Sequence, residues 1–280
     1  MKKIIWISSY PKSGNTFVRS LLVSYFFSLD GIFEQSLLKK IPEFSKDFLK
    51  FEKKKYPENE MLKWNDIQKE YAQNFKKFCF LKTHVANIKI RNKIFSINSD
   101  HTLGCIYVIR DPRNVALSIK DHFQLTNKNA IDFLLNENNN LQIQNNQFFK
   151  GFMPILDWGS NYLSWVSDNR FDPLIIKYED LIKDTNKIFL KILKYLQKYF
   201  SFDINAIKLS KVIDSTKFEI LKKIENNEGF FEKESMGIEN NLNPFFNKGI
   251  SRNYKKELDL NLISLIERKY ARIMHSLGYL

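Results

Sequence analysis

Cysteine is nearly absent: 280 residues carry only Cys79 and Cys105, each inside an apolar stretch. That excludes a disulfide-built scaffold and implies buried free thiols in a reducing compartment. Long apolar runs are also missing. No stretch approaches the roughly 18 residues of a membrane span. The first apolar run ends at Ile7 and is followed by Ser8, Ser9 and Tyr10, which is shorter than the roughly 7–15 residues of an export signal. It reads as a first strand, and the expectation is a soluble, cytoplasmic protein without a transmembrane segment. No internal repeat and no metal-ligand spacing are evident, so no metal is expected.

What is present is aromatic and basic. The 44% apolar fraction with 25 Phe and 12 Tyr belongs to a folded globule. The net charge of +13 attracts polyanions, whether nucleic acid, an anionic membrane or a small ligand with several phosphates. Runs such as Lys53–Lys55 and Lys222–Lys223 read as solvated helix faces, so nucleic acid is not an expected partner.

Four short β-branched or aromatic runs, Ile4–Ser8, Phe78–Lys82, Cys105–Ile109 and Pro173–Lys177, are separated by long helical stretches. This alternation predicts an α/β fold: one P-loop-like, three-layer domain over residues 1–280, its mostly parallel central sheet flanked by helices. Ligands of such sheets bind beyond the carboxyl ends of the strands. Every run here empties into polar residues: Ser9–Thr16, Thr83–His84, Arg110–Arg113 and Tyr178–Asp180. Three segments read as insertions. Gly31–Phe75 has helical spacing, Thr126–Gln147 is rich in Asn and Gln and weakly patterned, and Glu225–Asn247 reads as a long loop. A packing helix is expected over Leu258–Leu277.

Tyr10-Pro-Lys-Ser-Gly-Asn-Thr-Phe17 lies between the first strand and the helical run Val18–Phe27. Small residues at such a turn leave amides to surround an anion at a helix N-terminus, and Lys12 adds a full charge. The loop is not that of the nucleotide triphosphatases, since its Lys precedes a single Gly. Val108-Ile-Arg-Asp-Pro-Arg-Asn-Val-Ala-Leu-Ser118 places Arg110 at a strand end and Ser118 two turns into a helix, where together they can hold a phosphate. The alternative is that Arg110 pairs with an acid while Asp111 caps the helix. Phe80-Leu-Lys-Thr-His84 delivers Lys82 and His84 to the same edge. An imidazole, ordinarily near pKa 6.5, can take a proton from an acceptor hydroxyl. His101, His122 and His275 lack this setting and read as structural.

These motifs resemble those of the cytosolic sulfotransferase family. Tyr10–Phe17 is similar to its 5′-phosphosulfate loop, usually Tyr-Pro-Lys-Ser-Gly-Thr-Thr-Trp, with Asn15 and Phe17 as departures. Arg110–Ser118 resembles its 3′-phosphate motif, and Lys82-Thr83-His84 its Lys-Thr-His triplet. The resemblance implies 3′-phosphoadenosine-5′-phosphosulfate as co-substrate, with His84, Lys12 and Lys82 catalytic. It implies nucleotide contacts from Lys12, Ser13, Gly14, Asn15, Thr16, Phe17, Arg110 and Ser118. Ile176-Lys-Tyr-Glu-Asp-Leu181 and Ser215-Thr-Lys-Phe218 are weaker likenesses. They imply Tyr178 at the nucleotide, Phe218 opposite Phe17 across the adenine, and Thr216 near the base edge. Phe246-Asn-Lys-Gly-Ile-Ser-Arg-Asn-Tyr254 looks like the family's Arg-Lys-Gly segment. It implies Lys248 and Gly249 at the 3′-phosphate, with Asn247 where the family has Arg and Arg252 as the candidate to supply the missing guanidinium.

The resemblance thus implies sulfuryl transfer to a hydroxyl or amine by in-line displacement. Residues 31–75 and 126–147 become an acceptor-side lid, and 225–254 a loop closing over the nucleotide. Two rivals stand beside this reading: a P-loop kinase or triphosphatase with Asp111 holding Mg²⁺, and a non-catalytic nucleotide-binding module. No signature distinguishes a small-molecule, glycan or lipid acceptor, and a homodimer is left open.

Overall fold

The computed structural model describes residues 2–44, 57–90, 94–141, 143–145, 148–150, 153–230, 244–247, 249 and 252–280. Of 57–63, 90, 94–95, 143–145 and 148–150 it describes the backbone alone.

The four expected strands form. They are β1 (Ile4–Ser9), β2 (Cys79–Thr83), β5 (Thr102–Ile109) and β8 (Leu174–Lys177), aligned in parallel in the order β2-β1-β5-β8. Two short antiparallel pairs lie outside this sheet: β3 (Lys89–Ile90) with β4 (Ile94–Phe95), and β6 (Ile143–Asn145) with β7 (Phe148–Lys150).

Strand side chains alternate across the sheet, and two apolar cores result. Ile4, Trp6, Leu81, Cys105, Tyr107 and Ile109 face one core. Helices α2 (Pro57–Gln73), α3 (Pro112–Phe123), α4 (Asn127–Leu135), α5 (Trp158–Val166) and the C-terminal helix Leu260–Leu277 cover that side. Ile5, Ile7, Phe80, Ile106, Val108 and Ile176 face the other. There α1 (Asn15–Phe26), α7 (Thr185–Leu196), α8 (Ala206–Ser215) and α9 (Phe218–Glu228) contribute. A short helix α6 (Tyr178–Lys183) directly follows β8. Both cysteines are free and buried. Burial pushes the Cys79 thiol up to about 12 and Cys105 well above its ordinary value, so neither is a thiolate near neutral pH. Among the described residues no helix is long and apolar enough to cross a membrane.

Two segments differ from expectation. The first part of the Asn-rich stretch after Thr126 is not loosely patterned, because Asn127–Leu135 is the packed helix α4. The Thr126 hydroxyl accepts from Asn129 N at 3.1 Å, and Ala130, Ile131 and Leu134 form one buried stripe. The Asn content hid three apolar positions at helical spacing. The stretch expected as loop from Glu225 onward begins instead as the last turn of α9. There the Glu225 carboxylate accepts the amides of Phe245 and Phe246. It ties the far end of that segment back to the helix.

β5 also starts earlier than the sequence suggested, because its register against β1 steps from Thr102 to Gly104. At this irregularity the Tyr195 hydroxyl accepts from Cys105 N at 3.0 Å and donates to Asp172 O at 2.8 Å. Gly104 is required here, since a Cβ would lie 2.7 Å from Tyr195 Oη. Tyr195→Phe therefore orphans a buried amide and a carbonyl at once, and is expected to cost about 1–3 kcal/mol. Urea denaturation checks this; an unchanged midpoint contradicts it.

Candidate active site at the carboxyl edge of the sheet

The turn from β1 to α1 is built on two left-handed residues, Lys12 at φ 66° and Gly14 at φ 98°. Gly14 is the N-cap of α1, and no side chain caps that end. By contrast α3, α4, α5, α7 and α8 each carry a side-chain cap. The end of α1 thus presents its dipole and amides to the loop. Ser13 is fully buried and its hydroxyl has no hydrogen-bond partner among the described residues. Asn15, one of the two departures from the family loop, turns back onto β1. Its amide donates to Ile7 O at 3.0 Å and Ser9 Oγ at 3.3 Å. It braces the loop from below. Thr16 is buried and Phe17 half-buried on the first turn of α1.

β2 and β5 flank β1, so their ends bring His84 and Arg110 to opposite sides of this loop. Arg110 is 7% exposed. Its guanidinium donates to Lys12 O at 3.2 Å and Gly249 O at 3.4 Å, and lies over the Tyr178 ring at 4.5 Å. Among the described residues no carboxylate forms an ion pair with it. The alternative in which Arg110 pairs with an acid is not what forms. Burial pushes the Arg110 pKa down, Tyr178 and Glu179 oppose this, and the charge of Arg252 adds to it. Asp111 does cap α3, accepting from Arg113 N at 2.9 Å, and both its oxygens receive the Arg113 guanidinium.

His84 is 5% exposed, and its Nδ1 lies 2.8 Å from Ser9 O and 3.3 Å from Ser9 Oγ. A carbonyl only accepts, so Nδ1 carries the proton, and Nε2 is the basic nitrogen of the neutral ring. The Asn161 amide fixes the backbone beneath by donating to His84 O at 3.0 Å. Lys82 is buried and paired with Glu43 at 3.5 Å. Residues 42–44 lie along it as a short bridge, with Lys82 N donating to Pro42 O and Phe44 N to Lys82 O.

Tyr178 packs on Gly14, and Gly249, at φ 50°, packs on the Phe218 ring. Lys12 Nζ sits 4.5 Å above the Phe245 ring. Thr216 is buried at the end of α8 and donates its hydroxyl to Val212 O at 2.7 Å. Ser118 is half-buried on α3. Loop, Arg110, Tyr178, Gly249 and Phe218 therefore form one contact chain, to which Phe17 is joined by its amide donating to Gly14 O at 3.1 Å. Lys248 lies outside the described residues. Sequence reasoning missed Ser9, Glu43, Asn161 and Phe245. None carries a local signal, because each is brought in by a different element. Among the described residues no cluster of three or more His, Cys, Asp or Glu is placed to hold a metal ion.

The loop thus lies at a parallel sheet edge with a buried arginine on one side and an oriented imidazole on the other. The sulfotransferase domain matches residues 2–278, and the chain belongs to that family. It is a sulfotransferase, an enzyme that moves a sulfuryl group. Luciferin sulfotransferase of Photinus pyralis is 27% identical over 92% of this chain and 68% of its own length. Sulfotransferase 1 family member D1 of Mus musculus is 25% identical over 96% of this chain and 83% of its own. Among solved structures, a mouse sulfotransferase complexed with PAP shares the fold with a TM-score of 0.59. That match has 17% identity and covers 98% of this chain and 84% of the other.

A Cβ at Gly14 would lie 2.3 Å from Tyr178 Cδ2, at a φ that L side chains rarely adopt. Gly14→Ala is expected to destabilise by more than about 1 kcal/mol and to displace Tyr178 from Arg110. Denaturation combined with tyrosine fluorescence quenching reads both, and a wild-type profile contradicts the packing.

Proposed function

We propose that the chain transfers a sulfuryl group from 3′-phosphoadenosine-5′-phosphosulfate to a hydroxyl or amine of a small-molecule, glycan or lipid acceptor, with His84 as general base. The observation that carries this reading is the placement of His84 and Arg110 on opposite sides of the Lys12–Thr16 loop, set by the strand order β2-β1-β5. A donor with a sulfated phosphate and a second, separate phosphate needs two anion sites. The uncapped end of α1, Lys12 and the Ser13 hydroxyl, which has no partner among the described residues, suit the first. The buried Arg110 guanidinium, which lacks a carboxylate partner among the described residues, suits the second, with Ser118 on the neighbouring helix. Phe17, Phe218, Tyr178 and Thr216 are the residues available to the adenosine, and Gly249 allows close backbone approach.

The donor, when bound, supplies an electrophilic sulfur and a phosphate leaving group. In-line displacement asks the protein to place an acceptor oxygen opposite that leaving group. Lys12 and the loop amides face the leaving side and neutralise the negative charge growing there. His84 Nε2 faces the acceptor side, takes its proton, and passes none through Nδ1, which stays bonded to Ser9 O. Lys82 supplies the cation for the sulfuryl oxygens, with Glu43 fixing where it stands. Asp111, the Mg²⁺ ligand that a kinase reading needs, has both oxygens engaged by Arg113.

We read residues 1–280 as one sulfotransferase domain, with the described parts of 31–75 and 126–147 walling the acceptor side and those of 225–254 covering the nucleotide; 45–56 and 231–243 lie outside the described residues. Support comes from Glu43 at Lys82, from the Asn139 amide donating to Phe133 O at 2.9 Å beside Tyr10, and from Phe245 over Lys12.

Thermal melting distinguishes the donor classes. Adenosine 3′,5′-bisphosphate is expected to raise the melting temperature more than ATP with Mg²⁺, and the reverse order overturns the assignment of both anion sites. His84→Ala is expected to keep bisphosphate binding while turnover falls by about 10²–10⁴-fold; turnover retained at the wild-type rate removes His84 as base.

A further inference from the structure

The residue that stands where the family has a guanidinium, Asn247, makes a contact that points elsewhere. Its side-chain amide donates to Asp121 Oδ2 at 2.8 Å. The same oxygen receives Nη2 of Arg252. The Arg252 side chain is 3% exposed, yet its Nη1 is buried with no hydrogen-bond partner among the described residues. An arginine donor left in that state costs free energy until an acceptor reaches it. Arg252 is also close enough to Arg110 for its charge to act on that guanidinium. Glu179 and Asp111 also act on Arg110, but Arg252 keeps a donor that nothing among the described residues fills, and an anion would fill it.

Asp121 lies three residues after Ser118 on α3, so both project from one face of the helix. Arg252 is therefore held on the Ser118 side, beside Arg110 and the Gly249 carbonyl that Arg110 contacts. The geometry points to Arg252 as the second guanidinium of the site for the phosphate monoester that is not transferred, with Asp121 as its positioning residue and Asn247 bracing Asp121. This inference rests on the nucleotide reading above. It relocates the missing positive charge by five residues along the chain, from 247 to 252.

The test compares adenosine 3′,5′-bisphosphate with adenosine 5′-monophosphate by calorimetric titration of the full chain. Arg252→Ala is expected to weaken the bisphosphate about tenfold or more, the worth of one or two charge-assisted hydrogen bonds, while leaving the monophosphate nearly unchanged. Arg252→Lys is expected to recover part of the loss, since it restores charge without the fork. Should Arg252→Ala melt early, Arg252→Gln carries the same comparison.

Asp121→Asn gives the sign that separates positioning from simple electrostatics. Removing a negative charge beside a phosphate would tighten binding, whereas losing the anchor of Arg252 weakens it, and weakening of the bisphosphate alone is expected. Tighter binding in Asp121→Asn, or an unchanged bisphosphate preference in Arg252→Ala, overturns the inference while the nucleotide reading stands. If the wild type itself does not prefer the bisphosphate, the nucleotide reading falls and this inference with it.

Discussion

The Arg110 guanidinium is the contact on which the arrangement of the site depends. It joins three separate parts of the chain: the loop after β1 through Lys12 O, the distant segment at Gly249 through its carbonyl, and the start of α6 through the Tyr178 ring. Burying an ion costs several kcal/mol, and neutral carbonyls and a ring face return only part of it. Among the described residues the charge has no ion-pair partner, and Glu179 and Asp111 act on it only from a distance. Tyr178 transmits the constraint, because its ring is wedged between Arg110 and Gly14.

The sheet order makes this arrangement possible. With β1 between β2 and β5, the loop that follows β1 is flanked by whatever the neighbouring strands deliver at their carboxyl ends. One neighbour delivers a buried arginine and the other an imidazole whose tautomer is fixed by Ser9 O. The arginine and the imidazole are therefore held by different strands, which lets each be oriented by its own surroundings. Asn161 serves both sheet and site: its amide holds His84 O, and its carbonyl oxygen accepts the Tyr107 hydroxyl at 2.7 Å.

Much of this was legible in the sequence. The four strands, the loop at Tyr10–Phe17 and the residues at the strand ends follow from apolar runs that stop abruptly at polar ones, a local signal. The parts that were not legible depend on contacts across the chain. Glu43 reaches Lys82 from an insertion, Phe245 reaches Lys12 from a segment pinned by Glu225, and Asp121 was one more polar residue on an amphipathic helix. Helix α4 was hidden because the stretch around it is rich in Asn and Gln, while its three buried positions determine its packing. Asn247 could be seen as a departure from the family pattern, but only the structure shows that it and Arg252 converge on one carboxylate oxygen.

The central claim is that this sheet edge moves a sulfuryl group between a doubly phosphorylated nucleotide and an acceptor. The most direct measurement incubates the full chain with donor labelled at sulfur, a mixed panel of phenols, alcohols, amines, glycans and sterols, and excess chelator. The account predicts label in an acceptor, with adenosine 3′,5′-bisphosphate released in equal amount. Label remaining on the donor while the terminal phosphate of ATP is transferred or hydrolysed once Mg²⁺ is restored would contradict it.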